Sequence, residues 1–135
     1  MSEETQDILL DHSSNPRNTK LLNEKCTHSA AVENPSCGDE LSLEFILSDG
    51  RVSAVSISPK GCAVSKATAS IFSQYILGKE LSEIEAAGSL LSEGLKTGAF
   101  SEELAELQAL RSLSDFPVRH RCVLLPFEAF SKANS

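Results

Sequence analysis

The apolar residues change their spacing once along this chain, at Gly61-Cys62, and that change limits the fold more than any other feature. Before it, apolar and polar residues alternate. Leu41-Ser42-Leu43-Glu44-Phe45-Ile46-Leu47 reads as a strand with one wet face, and Ser48-Asp49-Gly50 turns. Val52-Ser53-Ala54-Val55-Ser56-Ile57 then returns beside it. His28 to Glu33 alternates more weakly and supplies a first strand. After Cys62 the spacing is helical. One helix runs from Ala63 to Leu77 between Gly61 and Gly78, with Ala67, Ala69 and Ser70 small enough for close approach to the sheet. A second runs from Leu81 to Leu91, with Gly88 as a break point. Ser101-Glu102-Glu103-Leu104 supplies an N-cap and first-turn acids for a third, reaching about Leu113. A fourth spans Phe116 to Phe130 and is kinked or interrupted at Pro126. Ahead of the sheet, Thr5 to His12 forms a short amphipathic helix, and Leu21-Leu22 are expected to re-enter the core. The class is α+β, a three-stranded antiparallel sheet covered by C-terminal helices. With 135 residues and no repeat or linker, residues 1–135 are expected to make one domain.

Charge narrows the partners. The net charge is −7 and aromatic residues make up 5%, which argues against nucleic acid, whose binding needs a basic field and stacking platforms. From Gly78 to Asp115 there are eight acidic and three basic residues. That stretch is either a solvated helical face or a partner-selecting surface. No apolar run is long enough for a membrane span. The first dozen residues carry Glu3, Glu4, Asp7 and Asp11, whereas a leader would be basic, so none is expected. The expected compartment is the cytoplasm, where cysteines serve more often as ligands or nucleophiles than as bridges.

Three cysteines stand in special local settings. In Asn34-Pro35-Ser36-Cys37-Gly38-Asp39, proline fixes the approach. Gly38 allows the backbone to fold back, so that Cys37 and Asp39 can meet at one point. Read alone, the hexapeptide fits a metal loop and a surface turn equally well. Cys62 opens a helix after Ser58-Pro59-Lys60-Gly61, and Cys122 lies in the first turns of the last helix. Helix starts offer unpaired N–H groups and a positive potential that suit anionic ligands. Arg119, three residues before Cys122, shares its helical face, while His120 points away. Cys and Asp are ordinary zinc ligands, and four close a tetrahedron. Three thiolates and one carboxylate around Zn²⁺ leave a charge of about −2, which an arginine would offset in part. The alternative is that Cys62 and Cys122 are small buried hydrophobes. Cys26 reads as a spectator thiol, His12 as a helix cap or surface residue, and His28 as a surface or strand residue.

Taken together, these stretches resemble a known family. Asn34-Pro35-Ser36-Cys37-Gly38-Asp39, Gly61-Cys62-Ala63-Val64-Ser65 with Ala67-Thr68-Ala69-Ser70, and Arg119-His120-Arg121-Cys122 are similar to the three cysteine motifs of the IscU/NifU N-terminal family of iron–sulfur cluster assembly scaffolds. Asp11-His12 with Asn15-Pro16-Arg17-Asn18 is similar to that family's N-terminal segment. The 60-residue step from Cys62 to Cys122, and Arg121 where IscU scaffolds carry histidine, place the chain nearer the SufU branch.

The resemblance implies an IscU-like fold and a zinc-dependent sulfurtransferase that accepts persulfide sulfur from a SufS-type cysteine desulfurase for iron–sulfur cluster assembly. It implies Zn²⁺ on Cys37, Asp39, Cys62 and Cys122, with Cys37 as the acceptor thiol that a histidine of the desulfurase displaces. Arg119 is expected to steady negative charge at the site. The alternative is a scaffold on which a [2Fe–2S] cluster is assembled on the same four residues and passed on. A third reading is a structural zinc module that only binds a partner.

Overall fold

The computed structural model describes residues 3–22, 24–35, 38–100 and 102–134. Helix α1 (Glu3–Ser14) precedes strands β1 (His28–Asn34), β2 (Asp39–Ser48) and β3 (Arg51–Lys60). Helices α2 (Ala63–Ile76) and α3 (Leu81–Thr97) follow, then a 3₁₀ run (Glu102–Asp115), a 3₁₀ turn (Pro117–Arg119) and α4 (His120–Asn134). The strands form an antiparallel sheet in the order β1-β2-β3, as the alternation predicts. A register shift at Ile46/Leu47 lets β3 keep Val52, Val55 and Ile57 buried.

The two-residue period sorts β2 cleanly. Asp39, Leu41, Leu43 and Phe45 are buried, and Glu40, Ser42 and Glu44 are exposed. On β1 the facing row is His28, Ala30, Val32 and Asn34, paired in register with Phe45, Leu43, Leu41 and Asp39. Two apolar columns therefore end in a polar pair, Asn34 opposite Asp39. Helix α4 covers β1 and β2, α2 packs on β3 and α4, and α1 lies along α2. Phe130 stacks on Phe45 at 5.2 Å and meets Phe72 edge-on at 6.3 Å, and Phe127 meets Phe72 edge-on at 4.9 Å. These four rings tie sheet, α2 and α4 together.

Several elements depart from the expectation. Helix α3 does not break at Gly88 but runs to Thr97, where Gly98 (φ +78) caps it through an N–H bond to the Gly94 carbonyl. A Cβ on Gly88 would press on the Phe127 ring at 3.0 Å, so the glycine makes room for α4. The third helix is a 3₁₀ run with an irregular residue at Leu104. Its leucines fall at 104, 107, 110 and 113, all buried, and three residues per turn stacks such a row on one face. The fourth helix begins later than expected, because Pro117–Arg119 turn separately, and it continues through Pro126. Leu21 is 87% exposed rather than in the core. The segment before it fastens to the β3 edge through its backbone, with Asn18 O accepting the Ile57 N–H at 2.8 Å. Among the described residues no helix is long and apolar enough to cross a membrane.

His12 is neither cap nor surface group. It is buried, and its Nδ1 meets the Ser70 hydroxyl at 2.7 Å, which also accepts the Arg17 N–H at 2.8 Å. Ser70 thus serves α1 rather than the sheet. Burial holds the imidazole below its ordinary 6.5, and the positive charge of Arg17 acts in the same direction, against a smaller opposing effect of Asp11. The unfolded chain takes up this proton below about pH 6.5 while the folded chain resists it, so folding weakens as pH falls through that window. Thermal unfolding between about pH 7 and about pH 5 is therefore expected to fall more steeply for the wild type than for His12→Asn, with the two slopes merging above about pH 7. Parallel curves would refute the buried neutral histidine.

Candidate metal centre

The site lies where the buried columns of β1 and β2 run out. Strand alternation carries Asp39 to the inner face, in phase with Leu41, and leaves it 0% exposed. A carboxylate out of water is costly unless hydrogen-bonded. Its partners are the Cys62 backbone N–H, at 3.2 Å from Oδ1, and the Cys122 thiol, at 3.0 Å from Oδ2. The first comes from the start of α2, where Cys62 is the extended N-cap residue without a side-chain cap of its own. The second comes from the first turn of α4.

Gly61 permits the approach. Its φ of +137 suits glycine, and a Cβ there would collide with Asp39 Oδ1. Asn34, opposite Asp39 and 1% exposed, directs its Nδ2 to the Cys122 sulfur at 3.8 Å. Sequence reasoning read Gly61 as a helix boundary and Asn34 as part of the Cys37 motif, and foresaw neither one's contact with Asp39 and Cys122. Continuing the β2 alternation two residues back from Leu41 would have placed Asp39 in the buried column, and with it the residue across β1.

Three of the residues singled out from sequence converge: one ligand atom each from Asp39, Cys62 and Cys122 lies within 4.8 Å of the others. Cys37 lies outside the described residues. Arg119, expected on the face of Cys122, donates to the Cys62 sulfur at 3.5 Å. His120 turns to the Ser114 carbonyl at 2.9 Å, and Arg121 pairs with Glu128 at 3.7 Å on the surface. His28 stacks on Phe45 at the opposite end of β1, and Cys26 is a half-buried free thiol.

The donor set fits a thiophilic divalent cation. Two thiols and a carboxylate are near enough to share one ion, and the carboxylate is held by an amide and a thiol proton rather than neutralised by a basic side chain among the described residues. Alanine substitution separates the two demands on Gly61. Gly50→Ala, at φ +77 with open space around it, is expected to cost about 1 kcal/mol. Gly61→Ala adds displacement of the carboxylate and is expected to cost about 3 kcal/mol in denaturant unfolding of the metal-free protein. Equal costs would show that Gly61 does not shape the site.

Comparison with known proteins gives the family and the fold. The NifU-like N terminal domain model matches residues 4–123. Zinc-dependent sulfurtransferase SufU of Bacillus subtilis is 30% identical over 127 residues, covering 93% of this chain and 85% of its own. Iron-sulfur cluster assembly scaffold protein IscU of Escherichia coli is 29% identical over 128 residues, covering 93% and 87%. FiSufU of Fervidobacterium islandicum AW-1, a candidate scaffold protein for the SUF system, superposes with a TM-score of 0.85 over 100% of this chain and 96% of its own. At 23% identity that likeness speaks for the fold, and the fold is the α+β arrangement expected from the sequence. With its motifs, its architecture and the match over residues 4–123, this chain belongs to the NifU-like N-terminal domain family.

Proposed function

We propose that the protein is a zinc-dependent sulfur carrier that accepts persulfide sulfur from a SufS-type cysteine desulfurase for iron–sulfur cluster assembly. The observation that carries this reading is the buried Asp39 carboxylate between the two cysteines, with Arg119 on the Cys62 sulfur and His120 turned aside. The name of the Bacillus subtilis relative supports the same reading. Asp39, Cys62 and Cys122, with Cys37 as fourth donor, would hold Zn²⁺, which keeps bound sulfur deprotonated yet quiet.

The chain's own residues do the rest. Cys37 is the acceptor: its thiolate attacks the outer sulfur of the partner's persulfide, a new S–S bond forms on Cys37, the old one breaks, and the partner's cysteine leaves as thiolate. Gly38, at φ +72 with no atom of the described residues within 4 Å of where a Cβ would stand, would supply the turn that lets Cys37 leave the metal. Arg119 offsets negative charge on the sulfurs, as its contact with Cys62 suggests.

Desulfurase turnover with and without the protein, run beside metal analysis, tests the proposal. Cys37→Ala is expected to abolish stimulation of turnover with the fold intact by circular dichroism; unchanged stimulation would defeat the acceptor role. Asp39→Ala is expected to weaken zinc binding at least about tenfold and to lower activity, since even residues behind the ligands are worth that much. Wild-type metal content and activity would remove Asp39 from the ligand set.

The scaffold reading keeps one observation in its favour: two thiols and a carboxylate also suit a [2Fe–2S] cluster as cargo. Anaerobic addition of iron and sulfide decides between the two. No chromophore transferable to an apo-acceptor is expected, and its appearance would establish the scaffold instead.

A further inference from the structure

Asn34 belongs to the buried polar group at the site, and the proposed function leaves it unused. It stands in the column of Ala30 and Val32, opposite Asp39, and is 1% exposed. Its Nδ2 donates to the Cys122 sulfur at 3.8 Å, while its Oδ1 is buried with no hydrogen-bond partner among the described residues. A buried carbonyl oxygen without a donor disfavours the fold, and an apolar side chain of the same shape would remove that penalty. What such a side chain could not supply is the N–H on sulfur. The orientation of the amide follows from its neighbours. Cys122 gives its thiol proton to Asp39 Oδ2, so the sulfur presents lone pairs to Asn34 and calls for a donor there.

We propose that Asn34 is a positioning residue of the metal site. Its amide donates to the Cys122 sulfur in the metal-free protein and keeps doing so when a divalent cation takes the place of the thiol proton, which leaves to solvent while Asp39 Oδ2 becomes available to the cation. The inference rests on the metal-site reading of Asp39, Cys62 and Cys122, and it divides the two described cysteines. Cys62 is half-buried beside a positive charge, Arg119. Cys122 is 0% exposed and held by a neutral donor, so its sulfur is the fixed corner of the site. Ligand orientation by a group behind the ligand is a recurring requirement of metal centres.

The wild-type chain loaded with the NMR-active isotope of cadmium gives the direct test. A scalar coupling between cadmium and an Asn34 side-chain amide proton, carried through the Cys122 sulfur, is expected. Its absence in a chain that binds cadmium overturns the assignment, while a chain that binds neither cadmium nor cobalt(II) overturns the metal-site reading itself. Asn34→Leu provides a second readout. With the metal-free unfolding midpoint unchanged or raised, zinc should bind about tenfold more weakly. The sulfur-to-cobalt(II) charge-transfer band should move to longer wavelength, because a thiolate without its hydrogen bond gives up electron density more easily. An unmoved band together with unchanged zinc affinity in the folded variant would also overturn the proposal. Should Asn34→Leu fail to fold, the cadmium coupling decides.

Discussion

A carboxylate shut away from water is the constraint to which this architecture answers. Asp39 ends the buried column of β2, where the neighbouring positions are leucines and a phenylalanine. Stability at that position requires donors brought from elsewhere. One is a backbone N–H at the start of α2, delivered over a glycine that leaves no side chain in the way. The other is a thiol from the first turn of α4. Three elements are fixed relative to one another by these contacts, and the same contacts collect the donor atoms a cation would use. Because Asp39 lies on the sheet while the Cys62 and Cys122 sulfurs lie at helix starts, this part of the site is held by the helix–sheet packing.

The packing beneath separates the work of stability from that of chemistry. The rings of Phe45, Phe72, Phe127 and Phe130 make a continuous apolar joint below the site. The N-terminal motif serves the packing. His12 and the Arg17 N–H share the Ser70 hydroxyl, the Asn18 side chain reaches Ser73 at 3.0 Å, and the Asn18 carbonyl takes the Ile57 N–H. Helix α1 is thereby fastened to α2, and the outer edge of β3 is covered where it would otherwise offer unpaired groups.

Much of this could be read before any coordinates, and the misses have physical causes. The sheet was legible because β2 carries clean alternation and β3 returns beside it after a short turn. The register shift at Ile46/Leu47 left no mark in composition. Gly88 suggested a break because glycine disfavours helices, yet tertiary contact with Phe127 explains it better. The 3₁₀ run was visible in principle: Leu104, Leu107, Leu110 and Leu113 repeat every three residues, a period that an α-helix would smear around its circumference. At the site, Asp39, Cys62 and Cys122 were identifiable from residue chemistry and local setting. The contact of Arg119 with Cys62 was not, because it depends on how two helix starts face each other, which neither segment encodes alone.

Asp39 and Cys122 are separated by 83 positions in the chain, and the carboxylate meets the thiol only when α4 has docked. In chain order the whole sheet precedes Cys122, so the strands can form before α4 is available to pack on them. A cation at this place would therefore meet Asp39, Cys62 and Cys122 together only once α4 has docked on the sheet.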